Sequence, residues 1–373
     1  MTHSQPAVLI TGGAGFIGSA LVRQWLEHES APIVNLDSFT YAGLQASLNG
    51  VMDHARHQLV VGDIANGPLV DRLLAEHAPR AIIHLAAESH VDRSIDQPAR
   101  FAQTNVVGTC VLLDSAVRYW RTLNAQARDA FRFLLVSTDE VFGTASANQP
   151  FTASSPLAPN SPYSATKAAA ELLARAFRKT YGLPLLVVNP TNNYGPRQLP
   201  EKLIPKMILA ALAGQPLTLY GDGLHQRDWL HVDDCCRALR RVLEQGVPGS
   251  RYLLGADHCQ QNLQVAEKIC DLVDELLASG QAKASGRVCR TDRREADPLS
   301  VDPRLRRREL IRHIADRPGH DRRYAVDSRR LRTELGWSPQ IAFDLGLRET
   351  VRWYLENPSW TRQALAALRQ AGS

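Results

Sequence analysis

The sequence predicts an α/β protein in which a doubly wound parallel sheet is followed by a smaller α/β domain. Two observations carry this. Short apolar runs alternate with helical patterns from Ala7 to Val188, and such alternation implies right-handed crossovers between parallel strands. The first run also leads directly into Thr11-Gly12-Gly13-Ala14-Gly15-Phe16-Ile17-Gly18, a glycine-rich turn that opens a helix. A strand, this turn and a helix are together the start of a Rossmann sheet.

The elements follow in order. Ala7–Thr11 is the first strand, and Ile17, Leu21, Val22, Trp25 and Leu26 mark one face of the next helix. Pro32–Leu36 predicts a second strand ending at Asp37, Gln58–Val61 a third ending at Asp63, and Ala81–Leu85 a fourth. Leu112–Trp120 has helical spacing, and Phe131–Val136 is a fifth strand. The alanine-rich Tyr163–Lys179 is a helix, and Leu185–Val188 a sixth strand. Regularity falls after Pro190, so residues 1–190 are expected to form the sheet domain. Residues 191–373 would form mainly a second domain, with some later segments returning to the first. Gly280–Arg308 is polar and poor in aromatic residues, the pattern of a mobile insertion.

Composition narrows the function classes. The chain has 373 residues, 44% of them apolar, enough for a sizeable core. The start Met1-Thr2-His3-Ser4-Gln5-Pro6 lacks the pattern of a secretory signal, and no apolar run reaches membrane-spanning length. A cytoplasmic protein with no membrane partner is expected. Six scattered cysteines without metal-ligand spacing predict reduced thiols, with no metal and no disulfide framework. Net charge is +5, but arginines crowd between Arg287 and Arg332. Interleaved Asp292, Glu295, Asp297, Asp302, Glu309 and Asp316 favour a solvated mixed-charge surface over a nucleic-acid patch. A third reading gives selected arginines to a diphosphate.

The glycine loop has a physical purpose. Its glycines allow a tight turn and close backbone approach to a pyrophosphate, and the helix start offers unpaired N–H groups. Asp37 lies nineteen residues after Gly18, at the second strand's end. A carboxylate there binds ribose hydroxyls and repels a 2′-phosphate, and Ser38 and Phe39 bring no cation to offset it. NAD is therefore expected over NADP. Asp63 is either an adenine contact or a turn cap.

The run Ser137-Thr138-Asp139-Glu140-Val141 closes the fifth strand, where an open parallel sheet places its chemistry. Tyr163 and Lys167 follow at a spacing of four and share a helix face. An ammonium beside a phenol is expected to lower the tyrosine pKa toward the working pH. A hydride-transfer pair with two extra carboxylates suits a redox-neutral dehydration.

Gly12–Gly18 with Tyr163-x-x-x-Lys167 resembles the extended short-chain dehydrogenase/reductase superfamily. Within it the chain is similar over nearly its whole length to the dTDP-glucose 4,6-dehydratases. The stretches carrying the resemblance are Leu85–Ser94, Ser137–Gly143, Asn192–Pro196, Pro200–Pro205, Arg227–Trp229 and Arg317–Tyr324. The resemblance implies that Tyr163 takes the sugar 4-hydroxyl proton as hydride passes from C4 to a tightly bound NAD⁺, with Thr138 holding that oxygen. Glu140 then removes the C5 proton, protonated Asp139 releases the 6-hydroxyl as water, and the hydride returns to C6. It also implies cofactor contacts at Gly12, Gly15, Phe16, Ile17, Gly18, Asp37, Ser38, Thr40, Asp63, Ile64, Leu85, Ala86, Ala87, Thr104 and Asn193, besides Tyr163 and Lys167.

Substrate contacts implied in the same way are Ser89, His90, Thr138, Asn192, Glu201, Lys202, Leu203 and Ile204. Tyr220, Arg227, Asn262, Arg317 and His320 complete them. Lys202, Arg227 and Arg317 suit a diphosphate, the arginines bidentately. A homodimer joined through the Leu112–Trp120 and Tyr163–Lys179 helices is implied too. Asp139 discriminates: epimerases of the superfamily generally lack the Asp-Glu pair, and decarboxylases and GDP-mannose dehydratases typically lack the aspartate. The chain departs from the family at Ser38, at Asn189-Pro190-Thr191 and at Arg197-Gln198-Leu199. The alternatives are another nucleotide-sugar 4,6-dehydratase, a UDP-sugar epimerase or decarboxylase, or a non-enzymatic binding protein. The intact Thr138, Asp139, Glu140, Tyr163 and Lys167 speak against the last of these.

Overall fold

A computed structural model describes residues 5–279 and 305–372. Its largest sheet has seven strands: β1 (Val8–Thr11), β2 (Ile33–Asp37), β3 (His57–Val61), β4 (Ala81–His84), β5 (Arg132–Val136), β6 (Leu185–Pro190) and β10 (Arg251–Leu254). They lie in the order β10-β6-β5-β4-β1-β2-β3, and all neighbours are parallel. The order reverses beside β1, which pairs β2 on one side and β4 on the other. That reversal opens a crevice at the strands' carboxyl ends.

The six strands read from sequence are all present, with ends moved by a residue or two. Continuous apolar runs form them because both sheet faces are covered. On one face helix Phe16–His28 buries Leu21, Val22, Trp25 and Leu26, and the Trp25 indole donates to Ala31 O at 2.9 Å. On the other, helix Thr109–Thr122 buries Leu112, Leu113, Ala116 and Val117.

The seventh strand comes from far along the chain. β10 pairs β6 from Arg251↔Val187 to Leu254↔Pro190. Helix Val232–Gln245 covers the same sheet face as Phe16–His28, and Leu331, Leu335 and Trp337 join that core. β10 also carries Arg251, whose guanidinium pairs with the almost fully buried Glu171 of helix Pro162–Tyr181. Breaking a buried pair strands one charge, so Arg251→Met is expected to cost about 3–5 kcal/mol. Denaturant unfolding would show it, and an unchanged midpoint would contradict it.

The remaining strands build two small sheets. β7 (Asn192–Tyr194), β9 (Gln226–His231) and β11 (Cys259–Gln261) form one, and β8 (Leu217–Tyr220) pairs with β12 (Ile311–Ile314) in the other. Helices Leu203–Ala213, Asn262–Ala278 and Phe343–Glu356 pack around a second core that includes Ile208, Ile269 and Val351. Among the described residues no helix is long and apolar enough to cross a membrane.

Most of the expected Gly280–Arg308 insertion lies outside the described residues; Leu305–Arg308 lie within them. Arg307 departs from the solvated-surface reading of the arginine-rich stretch. It is 1% exposed, donates to Ala211 O at 2.9 Å and pairs with Asp274. Its Nε–H joins the Gly214 N–H in capping the end of helix Leu203–Ala213, where the last carbonyls lack helical partners.

Candidate active site

A cleft open to solvent runs along the carboxyl ends of the large sheet. One end is built by the glycine loop. A Cβ on Gly12 would lie 2.5 Å from Ala86 N, and one on Gly18 would lie 2.0 Å from Gly12 O. No side chain fits at either point, so loop, helix and the Leu85–Ala87 segment close into a cradle of bare backbone. Asp37 stands at the end of β2, its carboxylate fixed by N–H groups of Ala14 (2.8 Å) and Phe39 (2.9 Å). Burial raises its pKa, and those two hydrogen bonds oppose the rise.

The wall of this end gathers Gly15, Phe16, Ile17, Ser38, Thr40, Asp63, Ile64, Ala86, Ala87, Thr104 and Asn193, with Tyr163 and Lys167 deeper in. Asp63 accepts from the Ala65 N–H at 2.8 Å, so it caps its turn while lining the cleft. Thr104 sits in a single π-helical turn, Gln103–Gly108. Such turns commonly occur at functional sites. Here it swings Asn105 inward to donate to Glu88 O (3.0 Å) and Thr166 (2.9 Å) while accepting from Glu88 N–H (2.9 Å). Glu88 lines the cleft, 4% exposed and paired with Arg100 at 2.9 Å. Sequence reasoning missed both residues. Glu88 stands inside the Leu85–Ser94 stretch, whereas nothing local marks Asn105.

The chemistry-bearing turn follows β5. Thr138 is extended, and its hydroxyl caps the short 3₁₀ turn Asp139–Phe142 by accepting from Glu140 N–H. The same hydroxyl donates to Asp139 Oδ1 at 3.3 Å. From behind, Asn189 donates to Thr138 O at 2.9 Å and to Glu171 at 2.6 Å, which ties the turn to the Glu171–Arg251 pair. Asp139 is 1% exposed, and its Oδ2 has no partner. Burial and the neighbouring Glu140 charge hold this carboxyl well above the usual range. Burial also raises Glu140, but Arg317, Lys202 and Arg227 pull it back. Two adjacent carboxyls thus stand in different fields, as an acid and base require.

Helix Pro162–Tyr181 starts at Ser161 with a capping box to Ser164. Tyr163 and Lys167 consequently face the cleft one turn apart. Lys167 Nζ donates to Val136 O at 2.9 Å, and burial lowers its pKa to about 8. The expected lowering of the tyrosine by this lysine is not what the structure gives. Burial, then the Glu140 charge, push the Tyr163 phenol up, and only the Thr138 hydrogen bond draws it down. The site is enclosed, and the ammonium is aimed at the strand-end carbonyl.

The substrate-side residues divide. Ser89, Asn192 and Lys202 line the cleft with Thr138, and Lys202 Nζ reaches Ser89 O at 2.7 Å. His90 and Glu201 lie alongside, 3.8 Å apart, and both Glu201 carboxylate oxygens are buried without a hydrogen-bond partner. Tyr220, Arg317, Arg227 and His320 form a separate cluster. Tyr220 and Arg317 bond the two oxygens of Asp92, at 3.0 and 3.1 Å. Arg227, read from sequence as a diphosphate contact, has its terminal nitrogens engaged by protein acceptors. Its two terminal nitrogens donate to Gln226 O, His320 and Asp321 O at 2.8–3.0 Å. Leu203 and Ile204 pack into the second core, Ile204 completely. Asn262 opens its helix with a buried, unpartnered Oδ1.

Other buried acceptors in the cleft also lack partners, including Asn192 Oδ1, Asn193 Oδ1 and Thr191 Oγ1. Buried polar atoms are seldom left this way. Together with the glycine cradle and the fixed Asp37 carboxylate, they fit an elongated polar ligand such as a dinucleotide.

This arrangement defines a dinucleotide-dependent enzyme with an acid–base pair beside its hydride-transfer residues. The GDP-mannose 4,6 dehydratase family matches residues 9–350. A dTDP-glucose 4,6-dehydratase of Xanthomonas campestris pv. campestris (strain B100) is 49% identical, covering 96% of this chain and 95% of its own. That of Escherichia coli (strain K12) is 45% identical, covering 95% and 94%. The crystal structure of the dTDP-glucose 4,6-dehydratase DesIV from Streptomyces venezuelae, with NAD bound, is 40% identical with a TM-score of 0.82, covering 96% and 99%. The chain belongs to this extended short-chain dehydrogenase/reductase family, among its dTDP-glucose 4,6-dehydratases.

Proposed function

We propose that the chain converts dTDP-glucose to dTDP-4-keto-6-deoxyglucose and water, as an NAD-dependent hydro-lyase. The observation that carries this is Asp139 beside Glu140: burial raises both carboxyls, Asp139 well above the usual range with the Glu140 charge adding to it, while Arg317, Lys202 and Arg227 draw Glu140 back. An epimerase needs no such pair. A UDP-glucose 4-epimerase from Thermotoga maritima shares the fold with a TM-score of 0.76 but is only 25% identical.

The glycine loop, Asp37 and the Leu85–Ala87 backbone would hold NAD, with Thr104, Tyr163, Lys167 and Asn193 toward its nicotinamide end. When bound, the cofactor supplies the hydride acceptor, a positive charge beside the phenol, and later the hydride returned to C6. Tyr163 Oη takes the 4-hydroxyl proton, and Thr138 Oγ1 holds that oxygen. Lys167 Nζ donates to Val136 O one helical turn along from the phenol. Once C4 is a ketone the C5 proton is acidic, and Glu140 removes it. Asp139 delivers its proton to the departing 6-oxygen, which leaves as water, and a proton is returned to C5 as C6 regains its hydride. Ser89, Asn192, Glu201 and Lys202 would orient the sugar and diphosphate.

Residues 1–190 are read as the cofactor domain and residues 191–373 as mainly the substrate domain. A homodimer is read from exposed Val107, Leu172 and Tyr181, which lie on or beside the Thr109–Thr122 and Pro162–Tyr181 helices. The composition supports a cytoplasmic setting. The deciding experiment incubates the protein with dTDP-glucose in deuterated water and follows it by NMR and cofactor absorbance. A 4-keto-6-deoxy product with deuterium at C5 and no net cofactor consumption is expected. A C4 epimer without deuterium would overturn the reading.

A further inference from the structure

Asp139 is weakly tethered for a buried group that must present a proton to one oxygen. Its Oδ1 has the Thr138 hydroxyl at 3.3 Å, and its Oδ2 has no partner. Where the carboxyl points is therefore left largely to the backbone that carries it. The Thr138–Asp139 peptide is planar, so the Thr138 carbonyl oxygen and the Asp139 Cα move as one rigid unit. Thr138 caps the 3₁₀ turn, and a capping residue gives its carbonyl to the first backbone bond of its own turn. That bond travels with the turn. A second bond, from Asn189 Nδ2 at 2.9 Å, fastens the same oxygen to β6.

Asn189 is fully buried on β6, which runs between β5 and β10. Its amide nitrogen offers two protons, and two acceptors take them: Thr138 O, and Glu171 Oε1 at 2.6 Å. Turning the amide over would set its own oxygen against both, so these neighbours fix which way it faces. In that orientation Asn189 Oδ1 is buried without a partner, an arrangement that interior polar atoms seldom show. Glu171 is held in turn through its other oxygen, Oε2, by Arg251. The Arg251 guanidinium lies over the Phe142 ring, 5.4 Å from its centroid, so the pair also abuts the far end of the Asp139–Phe142 turn. β6, β10 and helix Pro162–Tyr181 thus converge on one side of this turn, and the Asn189 amide joins them to its first peptide.

We propose, resting on the dehydratase reading, that Asn189 is a positioning residue: its amide clamps the Thr138–Asp139 peptide from behind and so aims the Asp139 carboxyl at the 6-oxygen. Without the clamp the peptide plane can rotate about Thr138 Cα. Thr138 itself stays, because the adjoining Ser137 N–H is bonded to Val188 O at 2.8 Å, whereas Asp139 swings with the plane. Tyr163 is set by the capping box at its helix start and the cofactor end by the glycine cradle, neither of which uses the amide. The clamp accordingly bears on water loss rather than on C4 oxidation.

The test uses the holoenzyme carrying Asn189→Leu, which is close in size and has no donor. In single turnovers with dTDP-glucose, C4 oxidation read by cofactor absorbance should be unchanged. Reoxidation of the reduced cofactor, which follows water loss, should slow by about 10- to 100-fold, the cost of misplacing a reacting group by roughly 1 Å. The effect must disappear where there is no acid to aim. In an Asp139→Asn background, Asn189→Leu should slow reoxidation by no more than about 2-fold further. Asn189→Thr suits a strand and keeps one hydroxyl donor, so it should fall between wild type and the leucine variant. It also carries the test if Asn189→Leu does not fold. Reoxidation at the wild-type rate, equal slowing of both steps, or fully additive slowing with Asp139→Asn would each overturn the proposal. A wild-type chain that leaves dTDP-glucose unchanged would instead refute the function on which it rests.

Discussion

Asp139→Asn is expected to oxidise the sugar at C4 and then stall. The asparagine matches the carboxyl in size and keeps an oxygen for the Thr138 hydroxyl, 3.3 Å away in the wild type. It has no acidic proton to give the 6-oxygen. General acid catalysis contributes about 10²- to 10⁴-fold, and water loss should slow by that factor. Reduced-cofactor absorbance should then build up and persist, while C5 continues to take deuterium because Glu140 is untouched. Product release at the wild-type rate would sink the assignment of the acid. The pH profile follows from the same pair. Asp139 works protonated and Glu140 works ionised, so kcat/KM should fall at low pH as the base is protonated. It should fall at high pH as the acid ionises. The two limbs belong to the coupled pair rather than to either residue alone.

Tyr163→Phe acts one step earlier. Burial pushes this phenol up, and the Thr138 hydrogen bond is the one contact drawing it down. Its proton transfer therefore depends closely on its surroundings when the site is loaded. Phenylalanine keeps the edge contact with Phe101, whose ring centroid is 6.4 Å away, so the helix should stay in place. Without the oxygen, C4 oxidation should fall by about 10²- to 10⁴-fold. No ketone forms, so no deuterium should enter C5 even though Asp139 and Glu140 are intact. Deuterium entry at the wild-type rate would show that C5 activation does not need C4 oxidation, and the order of steps would be wrong. Asp139→Asn and Tyr163→Phe thus differ in kind as well as size: one accumulates reduced cofactor, the other never produces it.

Much of this was legible because hydrophobic runs and turn chemistry are local signals. β1, the glycine loop and Asp37 lie within thirty residues of one another, and Thr138, Asp139 and Glu140 are consecutive at a strand end. What escaped depends on distant chain. Arg251-Tyr-Leu-Leu254 is four residues long, too short for a periodic signal, and becomes a strand because β6 offers an open edge. Asn105 acquires its role from a π turn that no residue pattern announces. Arg307 sits in a charged run that looks solvated, yet it closes a helix end. The partners of Arg227 were equally hidden, since the Gln226 and Asp321 carbonyls and His320 reach it from separate stretches of chain.

The late arrival of β10 has a consequence for how the polypeptide matures during synthesis. When residue 190 emerges, β6 is still an uncovered edge with its hydrogen-bonding groups facing water, and Glu171 has yet to meet Arg251. An open edge of this kind invites pairing with another nascent chain. The large sheet thus cannot be completed from residues 1–190 alone while the rest is translated. It must wait through the small sheets and helix Val232–Gln245 until Leu254 is available. A gene fragment ending near residue 190 should give aggregates, whereas truncations beyond the second core test a completed sheet.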